Sequence, residues 1–168
     1  GQWEEGTPIG SYADINDPGT LVAPTEDHTE GMFGFAYVTG LNPPLGEGIG
    51  VNDVDGGHTT LRSPIIDLTP YESPVLSYWR WYTNAPATGA NPASDWWQVE
   101  VSNDGGSSWQ YLENTSQQDI SWRRKAFRVS DVVEPTSDFM IRFIAQVCHH
   151  GQLLGLHLLG NLLQHPVS

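Results

Sequence analysis

The stretch NDVDGGHTTLRSP, residues 52–64, places Asp53 and Asp55 two positions apart, just before a double glycine. Alternate residues of an extended segment project to one side, so both carboxylates can meet a single hard cation. Calcium suits that chemistry, because it takes about six to eight oxygens, including carbonyls that glycine-rich turns expose. Asn52, Glu26, Asp27 and the carbonyl of Thr29 are further donors if the upstream loop folds over this one. The competing reading is a turn in which each aspartate accepts from backbone amides ahead of Gly56-Gly57. An EF-hand does not fit, since its third ligand position and closing glutamate are missing. His28 and His58 flank these loops and are expected to serve there as hydrogen-bonding residues.

The second chemistry is aromatic. Seven tryptophans offer flat rings that could stack on the apolar face of a sugar. In a strand over 74–82, Trp79 and Trp81 share one face, and Tyr78, Arg80 and Tyr82 share the other. One set must be core, leaving the other to look outward. Tyr78, Arg80 and Tyr82 are the expected ligand-facing set, together with Trp96, whose neighbour Trp97 falls on the core face with Val99 and Val101.

Catalysis finds little support. The chain holds no Gly-x-Ser-x-Gly elbow, no His-Glu-x-x-His helix and no phosphate-cradling loop. Carboxylates are so abundant that a glycosidase-like pair carries no information. Cys148-His149 are chain neighbours and rarely face each other as nucleophile and base. His149, His150, His157 and His165 show no zinc-site spacing.

Composition narrows the class further. Twenty acids against seven bases give −13, and residues 1–61 hold ten acids with no lysine or arginine before Arg62. Such a field repels nucleic acid and anionic lipid, and attracts calcium or keeps an exported protein in solution. No apolar run is long enough to span a membrane. One cysteine excludes an intrachain disulfide. The chain opens at Gly1 without a leader pattern, as expected of a processed form or an excised domain.

The elements that must position these groups are short strands. Alternation predicts strands at 32–38, 59–68, 74–82, 96–102, 108–112, 121–130 and 138–146. In 96–102, Gln98, Glu100 and Ser102 form the polar face. Asn103-Asp104-Gly105-Gly106 then predicts a hairpin turn into 108–112, and turn clusters occupy 39–50 and 84–94. Short strands with no convincing helix before residue 147 indicate an antiparallel β-sandwich or jelly roll. The tail, VCHHGQLLGLHLLGNLLQHPVS, has no acid, lysine or arginine, and its leucines keep no strict period.

Taken together, several motifs resemble a known family. They are the run 52–83, Asp95-Trp96, Val99–Gly106 and Trp109, with Glu26–Thr29 and Tyr37–Gly40 upstream and Phe127–Asp131 and Ile141–Ala145 downstream. Residues 1–146 are similar to the MAM-like jelly-roll domains that accompany immune-inhibitor-A-type metallopeptidases and bacterial surface proteins. The resemblance implies an accessory sandwich without catalytic activity, often with structural calcium. The family's final acidic strand is missing, and the Leu/His-rich tail 147–168 stands in its place. That tail reads as a shifted frame, a domain junction or a true replacement, and is the candidate cover for an open sheet edge.

The expectation is therefore an all-β, antiparallel jelly-roll sandwich over 1–146 with an atypical tail. Its function would be that of a secreted or cell-surface, non-catalytic binding or adhesion module. Calcium on Asp53, Asp55, Asp27, Glu26 and Thr29 would stabilise it, and glycan or surface polymer would be its partner beside other domains of a parent protein. A structural spacer and a small hydrolase are the alternatives.

Overall fold

Strand formation follows the alternation most closely at residues 96–146. In the computed structural model, β7 (Trp96–Ser102) turns Trp97, Val99 and Val101 inward, each nearly inaccessible to solvent. It pairs antiparallel with β10 (Met140–Gln146) in the register Trp97↔Ala145, Val99↔Phe143, Val101↔Ile141, so one apolar face runs across both strands. β10 in turn pairs with β5 (His58–Arg62), and β7 pairs with β8 (Gln110–Thr115). The result is an antiparallel four-stranded sheet in the order β5-β10-β7-β8.

The structure describes residues 1–14, 17–28, 34–41, 54, 57–84, 94–146, 156–157 and 163–164, with side chains described for all of these except 12–14, 17–20, 156–157 and 163–164. Among the described residues the only helical segment is a 3-10 turn at Val129–Asp131.

The second sheet is organised around β6 (Val75–Tyr82). One edge of β6 pairs with β9 (Asp119–Arg128), placing Tyr78 opposite Lys125 and Arg80 opposite Arg123. The other edge is met by the tail: β11 (Leu156–His157) pairs with Arg80 and Trp79, and β12 (Leu163–Gln164) with Leu76 and Val75. β11 also bridges to β4 (Ala36–Val38), which pairs with β1 (Glu4–Gly6). β11 and β12 thus pair along the β6 edge opposite β9, where bare amides and carbonyls would invite foreign pairing. A separate hairpin joins β2 (Ser11–Asp14) to β3 (Asp17–Ala23).

The two large sheets bury a shared core, which makes the chain an all-β antiparallel sandwich. Leu76, Tyr78 and Tyr82 of β6 join Trp97, Val99, Val101, Ile141, Phe143 and Ala145 of the opposing sheet. Tyr78 meets Phe143 edge-to-face at 5.2 Å between centroids, and Trp97 meets Tyr82 at 6.0 Å. Each such side chain contributes roughly 1.5–3 kcal/mol through burial, so truncating Phe143 to alanine costs about 3–5 kcal/mol.

Several expectations are corrected. The strand expected at 59–68 ends at Arg62, because Ser63-Pro64 interrupts the ladder where proline has no amide to donate. The chain keeps contact with its neighbour there through the Ile66–Phe139 bridge. The return strand begins at Gln110 rather than Ser108, since the Asp104 carboxylate holds a longer loop. Its oxygens accept from the Ser102 and Ser108 hydroxyls, at 2.6 Å each, and from the Ser108 amide. Gly105 and Gly106 supply the positive φ angles, 70° and 88°, that the reversal needs. β1, β2 and β3 were not expected, because Glu4-Glu5-Gly6 and Asp17-Pro18-Gly19 carry strand-disfavouring residues.

Candidate functional site

The outward face of the four-stranded sheet carries two exposed aromatic rings among polar groups. Directly opposed residues share a face, so the ladder lays out rows across the strands. One row is His58, Gln146 and Trp96; the next is Thr60, Ile144, Gln98 and Asn114; the third is Arg62, Arg142, Glu100 and Tyr111. Trp96 is 39% exposed and Tyr111 53% exposed. They belong to adjacent strands, four residues of β7 apart, so strand geometry separates them by about 14 Å. Between them the Gln98 amide donates to Asn114 Oδ1 at 3.2 Å and reaches the Tyr111 hydroxyl at 3.5 Å.

The third row carries charge. Arg142 Nε donates to Glu100 Oε2 at 2.5 Å, which accounts for a buried carboxylate on a face expected to be open. Its guanidinium lies 4.2 Å from the Trp109 ring centroid, and that of Arg62 lies 5.8 Å from the same ring. The Trp109 indole N–H donates to Gly106 O at 3.0 Å, so the Asp104 loop fixes the ring on which both cations rest. Chemically, this face offers apolar rings for stacking, amides for hydroxyl recognition and guanidinium groups for anions.

Tyr78, Arg80 and Tyr82 do not belong to it. All three are buried between the sheets, so the aromatic platform expected on that face of β6 is core instead. Arg80 is buried because two carboxylates accompany it: Nη1 donates to Glu113 Oε1 at 3.0 Å and Nη2 to Asp119 Oδ2 at 2.5 Å. Glu113 Oε2 also accepts from the Tyr78 hydroxyl at 2.5 Å and the Trp97 indole at 2.9 Å, and Lys125 Nζ approaches Oε1 at 3.5 Å. Burial, then the Glu113 charge, pushes the Tyr78 phenol well above its ordinary range. Burial and Asp95 do the same to Tyr82, whose hydroxyl donates to Asp95 O at 2.9 Å. These groups clamp the two sheets together.

The other face of β6 holds the amino-terminal segment. Trp81 Nε1 and Thr83 Oγ1 both donate to Val22 O, at 3.0 and 2.6 Å, and Trp122 Nε1 donates to Glu26 O at 3.2 Å. The His28 ring stacks on Trp79 at 3.3 Å. Residues 22–28 are therefore strapped across the outside of the β6 sheet, which sets Glu26 and Asp27 on the opposite side of the sandwich from Trp96. Asp27 packs against Gly34, where an added Cβ would collide with its carboxylate. Asn52, Asp53, Asp55 and Thr29 lie outside the described residues. Among the described residues no group of three or more His, Cys, Asp or Glu is placed to hold a metal ion. Of the histidines considered, His58 is an exposed strand residue, the side chain of His157 is not described, and His149, His150 and His165 lie outside the described residues, as does Cys148.

Comparison with known proteins leaves the fold to speak for itself: no protein-family model matches the chain, and no curated protein matches its sequence. Among the described residues no helix is long and apolar enough to cross a membrane. Of the expected ligand-facing residues, only Trp96 lies on the exposed face. Gln98, expected on the polar face of its strand, joins it there with Tyr111, Asn114 and Arg62, which were not expected as ligand-facing residues. The β-bulge between Val99 and Glu100 shifts the phase of β8, so that Tyr111 turns outward while Glu113 turns inward. Alternation counted along β8 alone does not reveal that shift.

Proposed function

We propose that the chain is a non-catalytic carbohydrate-binding module that grips an extended polysaccharide on the outer face of β5-β10-β7-β8. The observation that carries this reading is the pair Trp96 and Tyr111, two solvent-facing rings on one sheet face with the amides of Gln98 and Asn114 between them. Rings exposed to water cost free energy unless a partner covers them, and a sugar's apolar face does so while its hydroxyls reach the amides. A pure spacer has no use for such a surface. Both carboxylates of the Arg80–Glu113–Asp119 cluster are engaged by internal partners, which favours clamping over hydrolysis.

This reading keeps the jelly-roll, MAM-like character, the export to the cell exterior and the accessory role beside other domains. Calcium belongs to it as a structural ion. Glu26 and Asp27 belong to the segment the tryptophans hold by its main chain, with the Asp27 carboxylate against a position that only glycine leaves open. Asp53, Asp55 and the Thr29 carbonyl would complete an oxygen set suited to a hard cation. The ion would tie the acidic loops to the sandwich.

Pull-down of the chain on insoluble cellulose, chitin and xylan tests the proposal. Retention on at least one of them, lost in Trp96→Ala, is expected; passage through all polysaccharides tested, including charged ones, would retire the reading.

A further inference from the structure

The strands β5, β10, β7 and β8 carry four charged side chains apart from His58: Arg62, Glu100, Glu113 and Arg142. Glu113 turns into the core, where Tyr78, Arg80, Trp97 and Lys125 occupy it. The outward face is thus left with two guanidiniums and one carboxylate, a positive surface on a chain of net charge −13. Arg62 and Arg142 are directly opposed across the ladder, an arrangement that like charges disfavour. Glu100 neutralises only Arg142. Arg62 is exposed and, among the described residues, has no carboxylate within ion-pair distance. Its only charge-related contact there is the Trp109 ring at 5.8 Å. A fork of N–H donors held over an aromatic ring, beside a second cation, is poised for an oxyanion.

Resting on the carbohydrate reading above, we infer that the ligand is an acidic polysaccharide, and that Arg62, backed by Trp109 and Arg142, receives its anionic groups. The third row ends on Tyr111 at one side and Arg62 at the other, three strands apart or about 14 Å. A polymer stacked on Tyr111 and crossing that row brings its acidic substituents to Arg62. The chain's overall negative charge does not prevent this. Glu26 and Asp27 lie on the far side of the sandwich, and a Debye length of about 8 Å in physiological salt lets the local cations govern contact. Carboxylate and sulfate ester share the required chemistry.

Binding is measured with two matched pairs: polygalacturonate against its methyl ester, and dextran sulfate against dextran. The inference expects a charged member to bind about tenfold more tightly than its neutral partner, with the margin shrinking as salt rises. Arg62→Gln should reduce that margin severalfold, and Arg62→Lys should keep more of it than Arg62→Gln does. Preference for polygalacturonate identifies a carboxylate, and preference for dextran sulfate a sulfate. Equal binding of charged and neutral partners would overturn this inference and leave the carbohydrate reading standing, as would a charge preference that Arg62→Gln does not reduce. Silence toward all four polymers, joined to the failure on insoluble polysaccharides, would remove both.

Discussion

Glu113 and Tyr78 meet between the two sheets, the phenol donating to Glu113 Oε2 at 2.5 Å, and the Trp97 indole donates to that same oxygen. One carboxylate therefore joins β8, β6 and β7, and Arg80 stands against its other oxygen. Replacing it as Glu113→Gln should cost about 3 kcal/mol, because Arg80 loses half of its compensation. Tyr78→Phe should cost about 1–2 kcal/mol, and the double variant less than the sum, since both remove one network. Urea unfolding measures this. Strict additivity would mean that the network is not cooperative.

Acid should loosen the β7–β8 hairpin. Bonds from the Ser102 hydroxyl, then from Ser108, hold the Asp104 carboxyl at about 2, below its ordinary 3.8. A depressed carboxyl contributes stability that is full above the unfolded value and is lost as pH falls through the folded one. Stability should therefore decline between about pH 3.8 and pH 2, and less steeply in Asp104→Asn. Tryptophan fluorescence across that window reports it. Identical slopes would contradict the assignment.

Alkali should act through the buried phenols. Tyr78 and Tyr82 are both raised above 10, chiefly by burial, so their contribution is complete below pH 10 and is lost above it as the unfolded chain ionises. Two of the six tyrosines should give phenolate absorbance only together with loss of structure. Phenolate signal from all six before unfolding would show those rings to be open.

Removing residues 147–168 should uncover the edge of β6 that β11 and β12 occupy. An unpaired central strand recruits other chains, so the truncated protein should self-associate and melt earlier. Sedimentation velocity distinguishes this from a tail without structural consequence, which would leave the protein's association state unchanged.

How far the sequence disclosed all this depends on where alternation was undisturbed. At 96–102 and 138–146 the apolar period of two is clean, and the strands follow from it. Proline interrupts it at residue 64, and a bulge shifts it opposite Val99, so the end of β5 and the outward turn of Tyr111 needed three-dimensional register. Assigning β6 faces was harder still. Tyr78, Arg80 and Tyr82 look amphipathic and therefore exposed, whereas the carboxylates that make their burial tolerable come from Glu113 and Asp119, more than thirty residues away. The tryptophans on the other side, Trp79 and Trp81, are spent on holding residues 22–28 rather than on a ligand.

Calcium should raise the melting temperature if the strapped acidic loop holds it. At free calcium about a hundredfold above its dissociation constant, the gain is about 2.7 kcal/mol, or roughly 5–10 °C for a chain of this size. Asp27→Asn should reduce the gain, and chelator should abolish it. Identical melting with calcium and with chelator would remove the ion from the account.

The most direct test of the exposed face is titration of the intact chain with soluble polysaccharides, neutral and acidic, alongside Trp96→Ala and Tyr111→Ala. Both side chains are solvent-facing, so each variant should melt within about 0.5 kcal/mol of the parent while losing affinity by about tenfold or more. Variants that bind as tightly as the parent would contradict a ligand site on this sheet.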